Sequence, residues 1–226
     1  MFNDVLLWIL ILPGMLLGGW AQSRVKSSYA RFSRVPLDAG LTGAEVARHI
    51  LDRRGLQAVR VERVKGVLSD HYDPRGKVLR LSEGVYDARS IAAAGIAAHE
   101  AGHAIQDADD YAPMEFRTAI VPVVKAGSSA GPLVFFGGLM LGSSLVMWLG
   151  AVLFGASAMF ALITLPVEFD ASKRALKLLE ETGIIHSENE MAGTRHVLTS
   201  AAWTYVAAAV SAIGSWAMYL LASRRR

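Results

Sequence analysis

The clearest chemistry in this sequence lies in His99-Glu100-Ala101-Gly102-His103, two histidines four residues apart with a glutamate directly after the first. On a helix, positions i and i+4 share a face, so both imidazoles can reach one metal ion with Glu100 beside them. Zinc suits such a pair. It lowers the pKa of a water ligand from 15.7 towards about 7 and polarises a carbonyl as a Lewis acid. Glu100 would take the proton and hand it to a leaving amine. The pattern points to hydrolysis of peptide bonds by zinc-activated water, with one zinc ion as cofactor. The flank Ile91 to Ala98 is apolar and small, and burying two imidazoles and a carboxylate there is costly unless a metal compensates. The plainer reading is a helix with two hydrogen-bonded surface histidines.

A peptidase site holds zinc through three protein ligands and leaves the fourth position for water. The chain contains no cysteine, so the third ligand must be His, Asp or Glu. The extended motif with a Gly three residues after the second His fails, because Gln106 stands there; Asp109 holds the motif's distal ligand position and is a minor candidate. Glu168 is the stronger one. It follows Pro166-Val167 at the end of Ala126–Val167, a run of 42 residues without Asp, Glu, Lys, Arg or His. A carboxylate at a membrane boundary has an energetic reason to pair. A hairpin over 126–167 would return the chain to the side it left, bringing Glu168 back towards the histidines. Alternatively, Glu168 is an ordinary interfacial acid paired with Lys173 or Arg174.

These residues need elements to position them. At 53% hydrophobic with a mean hydropathy of +0.34, the chain is too apolar for an ordinary soluble domain of 226 residues. The sequence divides into an N-terminal membrane anchor (1–22, apolar from Val5 to Ala21), a soluble α+β part (23–125), a membrane hairpin (126–167), a helical segment carrying the third ligand (168–196), and a C-terminal span with a basic tail (197–226). The first block lacks the basic start and A-x-A-like exit of a cleaved signal peptide. Thr42-x-x-Glu45 is a capping box that opens a helix over about 43–54. Val59 to Val64 alternates with period two, hence a strand. Val67-Leu68 and Lys77 to Leu81 read as further short strands around the turn Asp73 to Gly76. Ser90 caps the helix over about 91–107 that carries the two histidines. A turn near 142–149 divides the uncharged run, and Gly137, Gly138, Gly142, Gly150, Gly155 and Ala156 would let its two helices approach closely. The fold class is mostly α: a multi-span helical membrane protein with a small α+β, zincin-like metallopeptidase domain.

A net charge of +3 with the basic residues clustered beside the apolar blocks speaks for membrane topology and against nucleic acid. Arg24, Lys26, Arg31 and Arg34 follow the first block, and Lys125, Lys173, Arg174 and Lys177 flank the hairpin. The positive-inside rule places the catalytic part on the cytoplasmic side of a bacterial-type inner membrane, in a multi-pass protein. Four full spans would leave Arg224-Arg225-Arg226 outside, so either the rule is broken there or the last segment does not cross fully.

Several stretches together resemble the YugP-type neutral zinc metallopeptidases of bacterial membranes. They are Thr42 to Ala47, Val61 to Gly66, Asp70 to Arg75, Leu81 to Tyr86, Ala98 to Gln106 and Pro166 to Ser172. The resemblance spans nearly the whole chain and implies an integral membrane zinc peptidase. A wider similarity is to the HtpX and CAAX-prenyl-protease group of membrane gluzincins. There the third ligand is the Glu of a Glu-Phe-x-Ala-Asp pattern whose Asp supports a zinc-ligating His. Glu168-Phe169-Asp170-Ala171 matches that pattern, but Ser172 replaces the Asp, offering a hydrogen bond without charge. Asp170 lies about 200° round the helix from Glu168, so its reach to a ligand stays open.

Substrate could lie along an edge strand within Val67 to Arg80. His71, Tyr72 and His196 are candidate donors to the tetrahedral oxyanion, while His49 and His186 lie in polar stretches and read as solvated. The partners implied are the lipid bilayer and a peptide or membrane-protein substrate. Two other functions compete: a non-enzymatic membrane assembly or binding protein pinned by zinc, and a basic membrane-surface adaptor without metal. Glu100 favours the enzyme, since a structural zinc site has no need of a base between its two His ligands.

Overall fold

The computed structural model describes the backbone of residues 2–224 and the side chains of residues 8–224. Residue 1, the side chains of residues 2–7 at the start of the N-terminal span, and the tail residues 225 and 226 fall outside what is described. The elements run α1 (Phe2–Phe32), α2 (Gly43–Arg53), β1 (Arg60–Val64), β2 (His71–Asp73), β3 (Val78–Ser82), α3 (Glu83–Tyr86), α4 (Ile91–Ala108), α5 (Ala112–Met140), α6 (Ser144–Glu181) and α7 (Glu188–Ser223). Among the described residues the protein is mostly helical, with one small sheet of three strands. The helices group into two compact units. One contains residues up to Gln22, Glu115–Pro166 and the chain from Trp203 onward; the other contains Ser23–Met114 and Val167–Ala202.

The second unit carries the sheet, ordered β1-β3-β2, with β1 parallel and β2 antiparallel to β3. Strand β3 is central and alternates little: Val78, Leu79, Leu81 and Ser82 are all buried. Helix α2 opens at the capping box, with Thr42 Oγ1 accepting from Glu45 N and Glu45 Oε2 accepting from Thr42 N. Its apolar face, Val46, Ala47, Ile50 and Leu51, joins β3 and the alanines of α4 in one core. Full burial of a branched aliphatic side chain stabilises by about 1.5–3 kcal/mol, so this face anchors the helix. The expected strand at Val67-Leu68 does not form. Gly66 and Leu68 adopt positive φ values of 115° and 54°, which turn the chain before β2.

In the other unit the uncharged run folds as an antiparallel hairpin. Gly142, with φ of 65°, makes the turn between α5 and α6 rather than a packing contact. The close approaches come at other glycines. A Cβ on Gly150 would collide with the Phe135 backbone, and one on Gly138 would lie 2.5 Å from Met147 N. Phe135 stacks on Tyr219 with ring centroids 4.4 Å apart. Leu133, Met140, Leu141 and Leu145 stand exposed, as side chains facing lipid would. Among the described residues, α5, α6 and α7 are long and apolar enough to cross a membrane.

Candidate metal centre

Helix α4 starts at Ser90, whose hydroxyl accepts from Ala93 N, and continues for 18 residues, most of them buried. Its alanines and glycines let neighbouring helices lie close. Gly102 is the decisive position: a Cβ there would lie 2.8 Å from the Ala171 carbonyl oxygen of α6. With only hydrogen at that point, α6 lies against α4 beside the two histidines.

This contact brings three donors together. Glu168 Oε2 lies 3.2 Å from His99 Nε2 and 3.6 Å from His103 Nε2. One potential ligand atom from each of the three residues lies within 4.8 Å of the others. Bonds of about 2.0–2.2 Å in tetrahedral geometry would hold ligand atoms about 3.3–3.5 Å apart. Two imidazoles and a carboxylate at these separations fit zinc in both donor type and spacing. The two imidazole rings are set edge to face, with centroids 4.7 Å apart. Glu168 is 2% exposed and His103 7% exposed.

Glu100 is 8% exposed, and burial pushes its carboxyl above the ordinary range, against the pull of His99 and His103. Each imidazole is also held from behind. Ser172 Oγ lies 3.2 Å from His99 Nδ1, and Gln106 Oε1 lies 2.9 Å from His103 Nδ1. Asp170 does not contact either imidazole. It accepts from Gln106 Nε2 at 2.8 Å and from Arg174 Nε at 2.6 Å. Asp109 pairs with Arg174 and is not one of the three clustered donors.

The remaining candidates have contacts elsewhere. His71 is exposed, with Nδ1 2.8 Å from the Ser69 carbonyl. Tyr72 donates its hydroxyl to Asp107 at 2.6 Å. Burial, then that hydrogen bond, holds the phenol well above its usual range. His196 packs its ring 5.6 Å from Phe32. Asp70 accepts from Ser82 N at 2.7 Å and from its hydroxyl at 3.0 Å, tying the start of β2 to the end of β3. Gln106 carried no role in the sequence reading, although a buried amide three residues beyond a motif histidine shares its helix face.

A family model described as "Putative neutral zinc metallopeptidase" matches residues 7–224. The "Putative membrane protease YugP" of Bacillus subtilis (strain 168) is 49% identical over 201 residues, covering 89% of each chain. No solved structure matches.

Proposed function

The chain belongs to the family of putative neutral zinc metallopeptidases, and on that premise we propose that it is a membrane-bound, zinc-dependent endopeptidase of gluzincin type acting on membrane proteins or peptides. One observation carries this reading: Glu168 Oε2 stands 3.2 and 3.6 Å from the two motif imidazoles. His99, His103 and Glu168 would hold one zinc ion and leave a fourth position open. Zinc supplies Lewis acidity and acidifies a water ligand. Glu100 then accepts the proton of the attacking water and returns it to the amide nitrogen as the C–N bond breaks. Burial raises its carboxyl above the ordinary range, which makes it a better proton acceptor than a solvated glutamate.

The protein is a membrane protein; we assign it to the bacterial inner membrane with the catalytic part on the cytoplasmic side, from the basic residues flanking its apolar runs. Cleavage of a panel of membrane proteins by wild type and Glu100→Gln tests the enzyme reading. Glu100→Gln should keep zinc and lose about 10²–10⁴-fold in kcat/KM. Zinc bound equally in both, with neither cutting anything in the panel, would leave a metal-pinned assembly protein instead.

A further inference from the structure

The amide of Gln106 is fully buried, at 0% exposure, and each of its hydrogen-bonding ends is occupied. Nε2 lies 2.8 Å from the Val167 carbonyl and 2.8 Å from Asp170 Oδ2. A carbonyl and a carboxylate only accept, so the atom facing them must be the NH2. A flipped amide would set its oxygen against two acceptors and is excluded by that clash of lone pairs. Oε1 therefore faces His103 Nδ1, 2.9 Å away, and requires a hydrogen there. That hydrogen leaves Nε2, on the side of Glu168, as the nitrogen with a free lone pair. The far end is held too, since Asp170 accepts from Arg174, which also pairs with Asp109. His99 is different: its Nδ1 faces the Ser172 hydroxyl, which can donate or accept and so imposes no tautomer.

We propose that Gln106 is a positioning residue of the metal centre, holding His103 as the Nδ1–H tautomer so that Nε2 is presented to zinc through an amide locked by Val167 and Asp170. The proposal rests on the zinc-site reading above. Its reach is specific. In the gluzincin pattern that the sequence resembles, one histidine is supported by a charged Asp; here both imidazoles rest on uncharged groups, and only His103 has its proton position fixed.

The test uses the full chain in detergent, labelled with ¹⁵N-histidine. Long-range ¹H–¹⁵N spectra of metal-free protein at pH 9 should show His103 with its proton on Nδ1, and Gln106→Ala should give mixed tautomers. Chelator competition should show zinc Kd rising about 10–100-fold in Gln106→Ala. Gln106→Glu sets a carboxylate against Asp170 and should bind zinc poorly. That variant keeps the side-chain volume and also faces the Val167 carbonyl, so a loss of affinity there is one that loss of packing alone would not give. A wild type with the His103 proton on Nε2 overturns the proposal, even if the variants fail to fold. Equal zinc affinity in wild type and Gln106→Ala overturns the role alone. A wild type that binds no zinc removes the zinc reading and the role together.

Discussion

At His99 the supporting partner is a hydroxyl, Ser172 Oγ, 3.2 Å from Nδ1. A carboxylate there would make the imidazole a more basic ligand. Ser172→Asp should therefore tighten zinc binding by about tenfold in a chelator competition; unchanged or weaker binding would mean that this contact does not tune the site. The motif residues His99, Glu100 and His103 were legible in the sequence because helix periodicity alone puts them on neighbouring positions. Glu168 was legible for another reason, the cost of leaving an acid unpaired at the end of an uncharged run. Gln106 was not. Its value depends on acceptors at Val167 and Asp170, more than sixty positions away, which nothing in the local sequence reveals. Of the oxyanion candidates, His71 and Tyr72 direct their hydrogen bonds to Ser69 and Asp107.

Local signals located helices well where a cap or a run of like residues marked them. The capping box opens α2 where the sequence indicated, and Ser90 opens α4. The apolar windows understated the long helices, because hydropathy detects the lipid-compatible stretch while the backbone ladder continues past it into polar residues. Thus α6 runs unbroken from Ser144 to Glu181, carrying Glu168 on a rigid element rather than a loop. The expected strand at Val67-Leu68 failed through backbone conformation, with Leu68 at φ 54°, a feature that alternation cannot report. The contact most exposed to mutation is the crossing of α4 and α6. Gly102→Ala places a methyl 2.8 Å from the Ala171 carbonyl and should cost about 1–3 kcal/mol of stability. It should also weaken zinc binding, since Glu168 moves with α6. Gly137→Ala, where nothing lies within 4 Å, is the control and should leave thermal unfolding and zinc binding as they are. Equal behaviour of the two variants would contradict the close-packing argument.

On the scale of the whole chain, the metal centre is assembled from distant parts of one unit, with Ser23–Met114 giving the histidines and Val167–Ala202 the carboxylate. The uncharged run between them separates the two parts in the linear sequence, and a hairpin over 126–167 is what the sequence offers to bring Glu168 back towards the histidines. Because the chain has no cysteine, topology can be read with single labels. Val67→Cys, at a site 79% exposed, should react with a membrane-impermeant maleimide only after spheroplasts are permeabilised; labelling of intact spheroplasts would reverse the orientation. The candidate zinc site depends on the junction of Glu168 with His99 and His103, and the zinc content of the full chain after dialysis against a weak chelator tests it most directly. Wild type should retain one zinc per chain and Glu168→Ala almost none. A zinc-free wild type, or a Glu168→Ala variant as full of zinc as wild type, would contradict the assignment.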